Sequence, residues 1–165
     1  MEELELESSS PILLTAEGMA RLKDELTRLT VVKRAEIAER IRESKDHGEY
    51  SEDNNELDEV KQEQAIVENR IAELKTILSN ADVLDPAQVP TTHVGVGSYV
   101  TLKDADRGLQ FEVRVVESVE ANPDDDLISE ESPLGQAIMG HRLGEKVTFE
   151  APMGKLNYEI AAIRA

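Results

Sequence analysis

Residues 51–81 read SEDNNELDEVKQEQAIVENRIAELKTILSNA, and one apolar stripe runs through them: Leu57, Val60, Val67, Ile71, Leu74 and Leu78, with Gln64 as a polar break. The steps alternate between three and four residues. That period keeps one row of side chains on one face of an α-helix and seats it against a second helix. No Gly or Pro interrupts the stretch, so a single long helix is predicted, opening between Ser51 and Asn55.

Upstream, a matching stripe falls at Met19, Leu22, Leu26 and Leu29, then resumes at Ile37 and Ile41 after a slip near Lys33. Thr15 is placed to cap this helix, and Glu17 sits at the positive end of its dipole. The helix should run to about Asp46, where Asp46-His47-Gly48 breaks it. Two helices of similar length with facing stripes and a short connection make an antiparallel coiled-coil hairpin over residues 13–84, its tip at 46–56. At ~1.5 Å per residue, about 30 residues give a rod of roughly 45 Å.

The pattern changes at a Pro-containing connector, residues 85–96. Beyond it, strands are predicted at Ser98–Leu102, Gln110–Val116, Lys146–Glu150 and Leu156–Ile163, with turns at Asn122–Asp126 and Pro152–Gly154. Ser132 followed by Pro133 marks the start of a short helix reaching about Met139. Residues 97–165 therefore form a compact antiparallel sheet with one helix, and the whole chain reads as α+β. Residues 1–12, acidic and then Ser-rich, read as a disordered leader.

Composition narrows the function. The net charge is −17 over 165 residues, with a pI near 4.5. Such a surface repels phosphate backbones, so a nucleic-acid role is expected only through a protein partner. The absence of Cys excludes disulfides, thiolate chemistry and Cys-built zinc ribbons. No apolar run reaches the roughly 18 residues of a membrane span, and no basic-then-apolar leader opens the chain, so a cytoplasmic protein is expected.

The densest chemistry is at the hairpin tip. Glu43, Asp46, Glu49, Glu52, Asp53, Glu56, Asp58 and Glu59 stand against Lys45 alone. Acids at a loop and a helix N-terminus favour solvation and complement the dipole, which is one explanation. Another is a probe that presents a divalent ion to another protein's active site, since Mg²⁺ takes one or two carboxylates beside substrate phosphate. The same acids would also serve to misplace a metal or block entry. His47 reads as a helix-end or solvent residue, with a metal ligand or general base as the other reading, and His93 and His141 as structural or surface residues. Lys33, Arg34, Arg40, Arg42 and Lys45 read as intrahelical ion-pair partners, or as a strip facing RNA.

Taken in order, several segments resemble the Gre transcript-cleavage factors of the GreA type, from about Leu14 onward. They are Leu22-Lys-Asp-Glu-Leu26, Lys33-Arg-Ala-Glu-Ile37, His47-Gly-Glu49, Glu68-Asn-Arg-Ile71 and Ser79-Asn-Ala-Asp-Val83. In the second half they are Gly97-Ser98, Ser132-Pro133-Leu134-Gly135 with Ala137, Gly140 and Gly144, and then Pro152 and Gly154. The resemblance implies a coiled-coil hairpin followed by an FKBP-like domain. That domain would dock on bacterial RNA polymerase, with Ser132, Pro133, Leu134 and Gly135 as the docking segment. The hairpin would enter the polymerase's secondary channel and stimulate the enzyme's own cleavage of backtracked RNA.

In that reading the chain is an accessory factor and not itself an enzyme. It would touch the RNA 3′ end only within the complex, have no cofactor of its own, and act as a monomer. Tip acids would help bind a Mg²⁺ shared with the polymerase. The family tip reads roughly His-Gly-Asp-x-x-Glu-Asn-Ala-Glu-Tyr, whereas this chain has Glu49 at the Asp position and one extra residue. The second acid is Glu52 counting forward and Asp53 counting back from Glu68. Relatives that inhibit transcription or cleavage share the architecture, so the inhibitory alternative stands beside the stimulatory one. A proline isomerase is disfavoured, because two Phe and three Tyr are few for an aromatic-lined pocket.

Overall fold

The computed structural model describes residues 11–46 and 55–165. His47, Glu49, Glu52 and Asp53, and most of the leader, lie outside the described residues. The described chain forms two compact units, one comprising Met19–Asn80 and the other the residues through Gly18 together with Ala81–Ala165.

In the helical unit, α1 (Ala16–Arg28) and α2 (Arg34–Asp46) are joined by a five-residue π-helical turn, Leu29–Lys33, and face α3 (Asn55–Ser79). The slip read near Lys33 is this turn. A π turn absorbs one surplus residue, so Leu22 and Ile37 both reach the buried side although one residue more than two heptads separates them, and Ser44 follows a heptad after Ile37. Ile37, Val60, Val67 and Ile71 form the seam, with Leu26, Leu29 and Ile41 half-buried against it. Toward the end of α3 the seam drifts from Leu78 to Ile77, which is the buried residue.

The other unit is a five-stranded sheet in the order β5-β4-β3-β7-β6. Its strands are β3 (Tyr99–Asp104), β4 (Gln110–Val116), β5 (Leu127–Ser129), β6 (Lys146–Ala151) and β7 (Gly154–Arg164). Four of these were predicted, and they pair antiparallel. The exception is β5, which pairs parallel to β4, because residues 117–126 carry the chain back across the sheet end where a tight hairpin would have reversed it. The helix α4 (Pro133–Ile138) brings Ile138 onto Val94, Val100, Leu102, Val113, Val115, Val147, Tyr158 and Ile160, the core of this unit.

Two short strands alter the sequence-based boundaries. β1 (Ile12–Leu14) pairs parallel with β2 (Ala81–Val83), so residues read as the end of a leader and as the base of the hairpin pack with the sheet unit. The connector is also tied in, with Leu84, Val89 and Val94 buried. Glu120 completes the arrangement from a short 3-10 turn. Its carboxylate is buried and accepts the Thr15 N–H at 3.1 Å and the Thr15 hydroxyl, while Thr15 Oγ1 caps α1 by accepting the Gly18 N–H at 3.0 Å. Glu117 accepts the Leu13 N–H at 3.1 Å.

Removing the Glu120 carboxylate strands a buried N–H and a buried hydroxyl. Glu120→Ala is expected to destabilise the sheet unit by about 1–3 kcal/mol, measured by urea denaturation.

Candidate functional site

The described part of the hairpin carries two kinds of acid. Along the shaft, most carboxylates are paired, with Asp24 the exposed exception. Arg70 donates to Glu25 through Nε and Nη2 at 2.8 and 3.0 Å, and Arg34 donates to both oxygens of Glu68 at 2.8 Å. Glu63 is shared by Lys33 at 2.8 Å and Arg40 at 2.5 Å. The hydrogen bond from Arg70 holds the Glu25 carboxyl below its ordinary range, opposed by partial burial. Hydrogen bonds from Lys33 and then Arg40 do the same to Glu63, and Arg34 to Glu68.

Near the tip the pairing stops. Glu43 and Asp46 in the last turns of α2, and Glu56, Asp58 and Glu59 at the start of α3, are exposed. None of these five makes an ion pair among the described residues. The unneutralised charge therefore gathers where α2 ends and α3 begins, on either side of Glu49, Glu52 and Asp53. Oxygen-only donors of this kind suit Mg²⁺. The described residues alone bring no three ligands together.

On the first strand of the hairpin, Lys33, Arg34, Arg40 and Arg42 are engaged. Arg42 pairs within its own helix, with Glu39 at 2.7 Å. Lys33, Arg34 and Arg40 instead reach across to α3, which corrects the intrahelical reading and also occupies the groups an RNA strip would need. For Lys33 the intrahelical Glu36 is 4.0 Å away and the interhelical Glu63 2.8 Å. The seam already holds the two helices side by side, so the cross-pair forms with little further ordering.

In the sheet unit, the docking segment read from sequence forms the first turn of α4. Ser132 caps it, accepting the Gly135 N–H at 3.0 Å while donating to the Ser129 carbonyl at 2.6 Å. Pro133 is exposed, Leu134 is half-buried against the core, and Gly135 is buried. A Cβ at Gly135 would overlap the Ser129 carbonyl oxygen, so Gly135 serves close packing and not surface contact. Glu130, just ahead of this turn, has its carboxyl raised by burial and then by Glu117 and Glu131. Sequence reasoning missed Glu130, whose only signal is the acidic pair Glu130-Glu131 before Ser132-Pro133. Phe149 packs on the core beside buried Tyr158, 5.6 Å between ring centroids, and exposed Phe111 meets Tyr158 edge-on at 5.4 Å. His141 pairs with Glu145 at 2.5 Å, and His93 hydrogen-bonds Thr92.

Comparison with known proteins settles the family. Residues 12–83 match the family model described as transcription elongation factor, N-terminal, and residues 89–165 match transcription elongation factor, GreA/GreB, C-term. The chain belongs to the GreA/GreB family. It is 42% identical over 156 residues to transcription elongation factor GreA of Caldanaerobacter subterraneus subsp. tengcongensis, covering 94% of this chain and 99% of that one. It is 45% identical over 157 residues to GreA of Chloroflexus aurantiacus, covering 95% and 99%. Among solved structures, GreA factor homolog 1 (Gfh1) of Thermus thermophilus is 33% identical with a TM-score of 0.44, covering 94% and 99%. Among the described residues no helix is long and apolar enough to cross a membrane.

Two expectations follow for this Gre-family chain. Glu25, Glu63 and Glu68 titrate lower folded than unfolded, so their stabilisation is full above the ordinary glutamate value and is lost as pH falls below it through their lowered folded values. Helical ellipticity at 222 nm should melt at progressively lower temperature as pH drops through that window. Glu130 has the opposite sign, costing stability as pH rises past the ordinary glutamate value. Glu130→Gln should raise the melting temperature at neutral pH, with the gain vanishing in acid.

Proposed function

We propose that this Gre-family chain binds bacterial RNA polymerase, inserts its hairpin tip through the secondary channel and stimulates cleavage of backtracked RNA. The observation that carries the reading is the charge distribution along the hairpin: most shaft carboxylates, Glu25, Glu39, Glu63, Glu68 and Glu73 among them, are paired with a cation, and those beside the tip are not. Glu49, with Glu52 or Asp53, supplies oxygen ligands at the polymerase centre. A Mg²⁺ bound there would help generate and align the attacking water. The hairpin's own contribution is positional: its seam and cross-pairs hold two strands in fixed register, so the acids arrive at a defined depth. Pro133, with Ser132 and Leu134, docks the sheet unit on the polymerase, while Gly135 keeps the turn that presents them.

The catalytic groups remain those of the polymerase, and the chain acts as a monomer in trans. The divergent tip, with Glu49 at the usual Asp position and one extra residue, supports a second reading in which the same insertion inhibits the enzyme.

A stalled, backtracked polymerase complex with labelled RNA separates the two. Stimulation predicts shortened RNA and renewed extension, with Glu49→Gln slowing cleavage by about 10–100-fold. Comparing Glu52→Gln with Asp53→Asn identifies the second ligand. RNA left uncut while nucleotide addition slows would overturn stimulation in favour of inhibition.

A further inference from the structure

The hairpin shaft changes character at its middle. On the first strand, the π turn Leu29–Lys33 contains no buried residue, and Val31 and Val32 are 66% and 50% exposed. The turn is hydrogen-bonded in the wider pattern, the Arg34 N–H reaching the Leu29 carbonyl. Thr30 Oγ1 is diverted to the Leu26 and Thr27 carbonyls at 2.8 and 3.1 Å. On α3, the stripe position between buried Val60 and Val67 is Gln64, which is exposed, and neighbouring Ile66 is 69% exposed. Ion pairs bracket this level, Glu25 with Arg70 on one side and Lys33 with Glu63 on the other. Between them the first strand offers the seam only Leu26 and Leu29, both half-buried, against buried Val67 on α3, with Arg34 reaching across to Glu68 at the tip-side edge.

Two helices locked along a seam bend stiffly, because bending requires one to slide on the other. Where apolar contact thins and one helix is widened, that resistance drops, and π turns are recurrent bend points. The sequence does not need this feature to fold. Deleting Val32 leaves whole heptads between Leu22 and the residues now numbered Ile37 and Ser44, so the seam keeps its phase and only the widened turn disappears.

We propose that residues 29–33 together with Gln64 form a compliant zone in the shaft. There the tip-side segment, α2 with the first half of α3, tilts against the remainder of the hairpin while it is threaded into its partner. The mechanical part concerns the free protein, and the threading part rests on the reading that the hairpin enters a polymerase.

Amide hydrogen exchange on the free full-length protein tests the mechanical part. Amides of residues 30–35 should exchange at least about tenfold faster than those of 37–44, and deletion of Val32 should abolish the difference. Gln64→Leu, which keeps the chain length, should reduce it. Exchange that is uniform along the wild-type shaft overturns the compliant zone, whatever the chain does to RNA. In the backtracked-complex assay, the stiffened variants should keep polymerase affinity within about twofold and lose at least about fivefold in cleavage rate. A stiffened variant that cleaves like wild type overturns the threading role. A wild-type protein that stimulates no cleavage, yet shows the fast-exchanging zone, sinks the proposed function and leaves the mechanical claim standing.

Discussion

The apolar seam of Ile37, with Leu26, Leu29 and Ile41, on one strand of the hairpin and Val60, Val67 and Ile71 on the other is what allows the rest of this structure. A chain with a net charge of −17 has little electrostatic reason to lay two acid-rich helices side by side. The apolar seam supplies the attraction, and only then do Arg34, Arg40, Lys33 and Arg70 find carboxylates on the facing strand. Pairs of this exposed kind add little to stability individually, so their main effect is to fix register. A fixed register in turn decides which residues stand at the tip.

The same reasoning explains why charge is graded along the hairpin. In the shaft each of Glu25, Glu63 and Glu68 has a cation, and in the turns beside the tip Glu43, Asp46, Glu56, Asp58 and Glu59 have none among the described residues. Like charges crowded at one end raise the local affinity for a cation, and a thin helical pair is a shape that carries them to a recessed place. In the sheet unit the logic is steric. Ser132 and Gly135 fold the chain tightly against Ser129, Leu134 and Ile138 are drawn into the core, and Pro133 is left outside. A packing requirement and an exposed proline thus share one short turn.

Family membership agrees with what both units display, and the match spans nearly the whole chain. The residues that differ from the family tip pattern, Glu49 and the extra position before Glu56, fall where the chain's charge is least compensated.

Periodic burial was legible in the sequence because each residue of a regular element has its partner face set by local spacing. The stripes of α1, α2 and α3, the alternation of β3, β4, β6 and β7, the Thr15 cap and the Ser132-Pro133 start of α4 all follow from neighbours a few residues away. The acids of the tip were visible for the same reason, as simple local density. What only the tertiary structure decided depends on partners distant in the chain. Ile12–Leu14 became a strand because Ala81–Val83 offered a ladder, and Leu127–Ser129 because β4 had a free edge. Glu120 looked like one more surface acid until Thr15 was brought to it. Lys33 could pair with Glu36 or Glu63 on spacing alone, and the choice fell to the seam, since a side chain's partner is settled by what the fold places within reach.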